Sequence, residues 1–286
     1  MTEINCMSRR HFLEVSAGLF TASAFGPSAC ITKTHRKIPV ALQLYTVRQE
    51  LEKNYFKTIE AIGKIGYDGV ELWKFFGHTA EDIRRCLDDN GLLPAGAHTD
   101  LETVMGEQLG NTIDFHQKLG NHILIVPWLP EQLRNSREAW LKTADLFNLL
   151  AEQMAVADMR IGYHNHAMEF EPVDGEMPWD IFARATRPEV ILQFDTGNAA
   201  ARHADVVHFL ETYPNRSVSI HLKEYSEFNS HALIGEGEIP FRKIIQTCRA
   251  TGGTEWFILE EEKDVYPPLV CAEKSYQNFM AILESV

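Results

Sequence analysis

From residue 40 onward the chain alternates between short apolar runs and longer stretches in which apolar positions recur every three or four residues. The short runs are VALQLY (40–45), DGVELW (68–73), PAGAH (94–98), ILIVP (123–127), RIGYH (160–164), VILQFD (190–195), SVSIH (217–221) and WFILE (256–260). They are too short for buried helices and most are rich in β-branched and aromatic residues, so each predicts a strand. Helical spacing is seen in FKTIEAIGKIG (56–66), AEDIRRCLDDNG (80–91), TADLFNLLAEQMAVADM (143–159), VVHFLETY (206–213), FRKIIQTCRATG (241–252) and AEKSYQNFMAILESV (272–286). Gly66, Gly91 and Gly252 fall where helices are expected to close on a left-handed residue. Eight strand–helix units in about 250 residues predict an α/β fold, a (β/α)8 TIM barrel in a single domain over residues 36–286. A doubly wound open sheet would place a glycine-rich phosphate loop after the first strand, and LQLYTVRQE contains no glycine.

Composition changes this picture only by exclusion. The 286 residues are 45% apolar and carry a formal charge of -13, with no basic patch, so a nucleic-acid partner is not expected. No apolar stretch reaches the roughly 18 uninterrupted residues of a membrane span. Cys6 and Cys30 precede residue 36, while Cys86, Cys248 and Cys271 have no CxxC spacing, so neither a disulfide framework nor a thiolate metal site is expected.

The first 35 residues follow a different rule. Ser8, Arg9, Arg10, Phe12 and Leu13 open a weakly apolar run that ends in small residues, and this pattern resembles a twin-arginine export signal followed by a short linker. It predicts an exported protein, either periplasmic or lipid-anchored. The PSAC segment makes Cys30 the candidate anchor, with Pro27 where an aliphatic residue is usual.

Polar residues collect where the apolar runs end: Tyr45, Glu71, His98, His164, Asp195, His221 and Glu260. In a (β/α)8 barrel these strand ends build the active site. Four of them come from the second half and offer imidazole nitrogen and carboxylate oxygen, a donor mix suited to one divalent ion such as Mn, Zn, Co or Fe.

QLYTVR, GYDGVELW, FDTGN, HLKE, GEGEIPF and WFILEEE together resemble the xylose isomerase-like TIM barrels, which include sugar epimerases, inosose dehydratases and, more distantly, endonuclease IV. The resemblance runs over nearly the whole chain after residue 36. It implies a single metal held from the ends of strands 5 to 8, which by position are His164, Asp195, His221 and Glu260. Many epimerases end strand 5 in a glutamate that pairs with a second one across the substrate. His164 stands there instead, in a YHNH segment similar to the strand end of inosose dehydratases. It is either a ligand or a base.

The chemistry such a site suits is removal of a carbon-bound proton next to the carbonyl of a keto-sugar, the metal stabilising an enediolate. Glu260, His164 and His166 are the candidates for moving the proton. Glu71, His98, Asn198, Trp128 and Lys223 are the expected substrate contacts, with orientation of a strand-end neighbour as the other reading of Glu71; Trp73 is a further stacking surface, and Glu262 is a reserve ligand. Lys223 and Glu224 are expected to pair with each other or to hold bound oxygens, and Gly235 and Gly237 to shape a loop at the barrel mouth. Return of the proton at the adjacent carbon gives an isomer, return on the opposite face an epimer, and loss of a β-substituent a lyase or dehydratase product. The leading expectation is a metal-dependent sugar isomerase or epimerase, with the lyase as the alternative. A nuclease would need more metal ligands and a basic face, and an exported sugar-binding barrel would lack catalytic power.

Overall fold

The computed structural model describes residues 37–251 and 253–286. The expected export signal and linker, with Cys6, Arg9, Arg10 and Cys30, lie outside the described residues, as does Gly252.

Eight parallel strands close into a barrel in sequence order: β1 (Val40–Gln43), β2 (Gly69–Leu72), β3 (Leu93–His98), β4 (Ile123–Val126), β5 (Arg160–His164), β6 (Ile191–Asp195), β7 (Ser219–Leu222) and β8 (Trp256–Leu259). Closure comes from β8 pairing with β1, where Val40, Ala41 and Leu42 face Phe257, Ile258 and Leu259. The predicted (β/α)8 architecture is the observed one, and each strand overlaps its predicted apolar run.

Around the barrel lie α1 (Arg48–Lys53), α2 (Tyr55–Ile65), α3 (Ala80–Asp89), α4 (Gln108–Leu119), α5 (Arg137–Ala155), α6 (Pro178–Ala185), α7 (Thr196–Ala200), α8 (Val206–Thr212), α9 (Phe241–Thr251) and α10 (Pro268–Glu284). Helix α5 starts six residues before its apolar period becomes visible at Thr143, because the Ser136 hydroxyl caps it by accepting from the Ala139 amide at 3.1 Å. Helix α4 escaped the periodicity altogether: only His116 and Leu119 of its residues are buried, so its sequence carries little amphipathic signal. As expected, Gly66 ends α2 in the left-handed region at φ 111°, and Gly91, at φ 67°, follows α3. No helix among the described residues is long and apolar enough to cross a membrane.

Strand alternation sorts the interior into two environments. Outward residues such as Val70, Tyr163, Leu192, Phe194, Leu222 and Phe257 join helix residues Ile59, Ile83, Phe147, Phe182 and Phe279 in one continuous apolar shell. Each large side chain so buried contributes about 1.5–3 kcal/mol. Inward residues divide by height. Ala41, Ala95, Trp256 and Ile258 form one small apolar cluster, and Ile123, Ile125, Ile191 and Val218 form another. Gly162 leaves the room this floor needs, since a Cβ there would lie 2.5 Å from both Cβ and O of Ile191. Toward the C-terminal ends of the strands the inward residues turn polar, and there the site is built.

Candidate metal centre and its cavity

Register brings the strand-end donors together. Asp195 pairs directly with His221 across β6 and β7, while His164 pairs with Gln193 across β5 and β6. His164, Asp195, His221 and Glu260 are all buried, and one donor atom from each lies within 4.8 Å of the others. Oδ2 of Asp195 is 4.0 Å from Nε2 of His164 and 3.9 Å from Nδ1 of His221, which is 2.9 Å from Oε2 of Glu260. An ion roughly 2 Å from each donor spans such separations.

Asp195 is held so that only one oxygen is free. Its Oδ1 accepts from the Asn198 amide at 2.6 Å, capping α7. The Asn165 side chain grips its backbone, accepting from Asp195 N at 2.8 Å and donating to Asp195 O at 3.3 Å. Oδ2 is buried with no hydrogen-bond partner, which is costly for a carboxylate oxygen unless a cation sits beside it. The donor set and this orphaned atom fit one divalent ion held by His164, Asp195, His221 and Glu260.

Charge in the cluster is divided unevenly. Burial raises the Asp195 carboxyl to about 6 against the pull of nearby Lys223, and neighbouring Glu260 adds to the rise. Burial works against Glu260 too, but Lys223 and His221 hold it at about 2. His221 is driven to about 10 because Glu71 and Glu260 outweigh its burial. Without an ion, a proton on His221 supplies the positive charge the acids require, and a metal takes its place by displacing it. His164 is held far below the ordinary imidazole value by burial, then by His221 and His98, so it is neutral and able to ligate.

Above the cluster opens a cavity of about 420 Å³, lined by Tyr45, Trp73, His98, Pro127, Trp128, His164, His166, Asn198, Lys223, Glu260 and Glu262. Of the expected substrate contacts, His98, Asn198, Trp128 and Lys223 reach it. Trp128 is half exposed at the mouth, its edge toward His166 and Arg134 over its face at 5.0 Å. The His166 ring lines the cavity with Nδ1 buried on the side of the Glu169 backbone, and burial followed by Lys223 lowers the imidazole to about 4. Glu169, in the 3-10 turn Ala167–Phe170 that follows the strand, fixes that loop: it accepts from Tyr163 Oη at 2.6 Å and from His166 N at 2.7 Å.

Glu71, of its two readings, orients strand-end neighbours and does not line the cavity. It is fully buried beneath the cluster, where Oε2 accepts from Gln43 Nε2 at 2.5 Å, His221 Nε2 at 2.6 Å and His98 Nε2 at 3.1 Å. Burial opposes its ionisation, but His98 and His221 hold it well below the usual carboxylate range. Lys223 pairs with Glu262, not Glu224, and is held protonated by Glu260, Asp195 and Glu262 against its burial. Glu224 instead receives the amides of Tyr225, Gly235 and Ile239, tying down the loop in which Gly237 approaches it too closely for any side chain. Glu262 lines the cavity but stands outside the donor group.

Sequence reasoning missed Gln43, Asn165, Gln193 and Ser219. Gln193 donates to Glu71 Oε1 at 2.6 Å and Ser219 Oγ at 2.7 Å, and its Oε1 receives His98 Nε2 at 2.8 Å and His164 Nδ1 at 3.0 Å. Gln43, Gln193 and Ser219 each lie two residues before a polar strand end, on the same inward face, and that spacing was the available signal.

The sequence matches the xylose isomerase-like TIM barrel family over residues 59–281. It is 22% identical over 251 residues to an inosose dehydratase of Geobacillus thermodenitrificans, an alignment covering 74% of this chain and 84% of that protein. Among solved structures, a sugar phosphate isomerase/epimerase from Parabacteroides distasonis superposes with a TM-score of 0.74 at 22% identity, covering 88% of this chain and 98% of the other. The IOLI protein with a bound zinc atom superposes at 0.67 with 14% identity, covering 86% and 98%.

Proposed function

The chain belongs to the xylose isomerase-like TIM barrel family, and on that premise we propose that it is a metal-dependent enzyme that removes a proton next to the carbonyl of a keto-sugar or keto-polyol and completes the reaction by β-elimination. The observation that carries this is the orphaned Oδ2 of Asp195, ringed by His164, His221 and Glu260 on the floor of a cavity that also holds His166 and Lys223. A divalent ion bound there supplies charge stabilisation to the enolising carbonyl, worth several kcal/mol. His164 serves as a ligand through Nε2, because Nδ1 is committed to Gln193. Glu260, a ligand held at about 2, is a poor base.

His166, whose neutral ring lines the cavity, is then the proton acceptor, through Nε2, since Nδ1 is buried against the loop. Lys223 is held protonated on the same cavity by Glu260, Asp195 and Glu262 and is placed to hold the departing oxygen as a charged hydrogen-bond donor. A neutral base and a positive charge beside the leaving group suit elimination. The relative of known activity named above is a dehydratase, which supports the same outcome. His98, Asn198 and Trp128 contact the sugar in this reading, while Glu71 acts on it through His98 and His221.

Isomerisation or epimerisation is the second reading, favoured by a second imidazole, His98, on the cavity wall. Turnover of keto-sugars in deuterated water with Mn, Co or Zn separates the two. An unsaturated product with release of water or an alcohol supports elimination. Deuterium at an inverted or adjacent carbon, with no group lost, supports epimerisation or isomerisation. No exchange of any carbon-bound proton overturns both and leaves a sugar-binding barrel.

We also infer export, from the Ser8–Leu13 pattern. Cytoplasmic retention of an Arg9→Lys, Arg10→Lys double variant supports it, and unchanged recovery outside the cytoplasm counts against it. Labelling with a radioactive fatty acid, compared with Cys30→Ala, separates a lipid-anchored from a free periplasmic form.

A further inference from the structure

Glu71 and Gln193 form a polar plug across the inside of the barrel, joining β1, β2, β3, β5, β6 and β7. Glu71 takes an N–H from Gln193 on Oε1 and three more, from Gln43, His221 and His98, on Oε2. A carboxylate surrounded by four donors has no place for a proton of its own and is purely an acceptor. That fixes the Gln193 amide. Turned over, Gln193 would set its carbonyl oxygen against Glu71 Oε1 at 2.6 Å, two acceptors with no hydrogen between them.

With the amide fixed, the histidines follow. His98 Nε2 faces two acceptors, Gln193 Oε1 at 2.8 Å and Glu71 Oε2 at 3.1 Å, so in the neutral ring Nε2 bears the proton and Nδ1 the lone pair. His164 Nδ1 also faces Gln193 Oε1 and bears its proton there, leaving the Nε2 lone pair toward Asp195. His221 Nε2 donates to Glu71, which reserves Nδ1 for the cluster.

We propose that Gln193 is a positioning residue, oriented by Glu71, that sets the tautomer of His164 and, together with Glu71, that of His98, so that His164 presents Nε2 to the metal and His98 presents Nδ1 as a hydrogen-bond acceptor for a substrate hydroxyl. The inference rests on the metal-centre reading and deepens it. One amide side chain couples the ligand geometry to the hydroxyl pattern that the cavity accepts. A substrate hydroxyl beside His98 must donate, so an O-methylated or deoxy analogue at that carbon loses the contact.

The test begins with the unaltered metal-free protein, whose histidine ring nitrogens are followed in long-range proton–nitrogen correlation spectra. The expected result is a proton on Nε2 of His98 and on Nδ1 of His164, and the opposite tautomer at either ring overturns the proposal. Gln193→Met, close in shape but without the amide, should let His164, which loses the acceptor on Nδ1, populate both tautomers, while His98 keeps Glu71 as acceptor, and should weaken zinc binding by roughly 10–100-fold in a chelator competition. A variant with an unchanged His164 tautomer and zinc affinity within twofold of the parent overturns it as well. If Gln193→Met does not fold, the spectrum of the unaltered protein still decides. Neither measurement uses a sugar. Correct tautomers in a protein that turns over no keto-sugar would refute the proposed function and leave this inference standing, and wrong tautomers in an active protein would do the reverse.

Discussion

The two halves of the barrel serve one cavity in different ways. Strands β5 to β8 end in the four donors, each with an atom facing a common centre. Near the ends of β2 and β3, Glu71 and His98 bind the second half's side chains, Gln43 at the end of β1 binds Glu71, and the loops after β1, β2 and β4 add Tyr45, Trp73 and Trp128 as walls. The second half holds the charge and the first half holds the second half in place. Function is therefore spread evenly around the barrel even though the ligands are not.

The sharpest way to break this division is Asp195→Ala. It removes the orphaned oxygen and the cap of α7 together, and metal content after dialysis should fall more than about 100-fold, beyond the usual effect of losing an outer partner. Full occupancy in the variant would end the assignment of the second half as ligand donor.

His166→Ala tests whether the second half also supplies the base. The kcat should drop about 10²–10⁴-fold with metal content unchanged. Because burial and Lys223 hold His166 at about 4, it stays neutral well below the ordinary imidazole value of 6.5, and a bound cation lowers it further. The acid limb of kcat/KM should thus fall on the acid side of pH 6.5 and only gain in activity as pH rises through it. A limb centred near 6.5 or above would assign the base elsewhere.

In the first half, Glu71→Gln replaces one acceptor oxygen by an NH2 group facing N–H donors. Metal affinity should weaken by roughly 10–100-fold without being abolished. A loss as complete as that of Asp195→Ala would erase the distinction between holder and held. The mildest change is Trp128→Ala at the mouth. With Trp128 acting as a stacking wall worth about 0.5–1.5 kcal/mol, KM should rise several-fold, to about tenfold, at constant kcat and constant metal content. A fall in kcat alone would place Trp128 in the chemistry.

The same contrast explains what could be seen in the chain beforehand. Parallel strands covered by helices are buried on both faces, so VILQFD and SVSIH stand out as apolar runs, and Asp195 and His221 are conspicuous because they break those runs at the end. The ligands of the second half were legible for this reason, together with the family resemblance. Gln193 and Ser219 sit inside their runs, where one polar residue among apolar neighbours does not reveal which face it takes or what it meets across the barrel. Glu71 is visible as a strand end, but whether it orients a neighbour or touches substrate depends on the height at which β2 enters the barrel. A shift in β2–β3 register at Val70 and Glu71 bears on that height, and nothing in the sequence marks it.

The apolar floor has a kinetic consequence. Ala41, Ala95, Trp256 and Ile258, with Ile123, Ile125 and Ile191, stop the barrel below the Glu71–Gln193 plug, so the cavity is a blind well whose mouth lies between Tyr45, Trp73 and Trp128. Traffic runs both ways through one doorway. In an elimination that splits its substrate in two, the fragment nearer the doorway departs first and the one on the floor waits behind it, which makes product release ordered and gives the outer fragment the weaker hold on the empty enzyme.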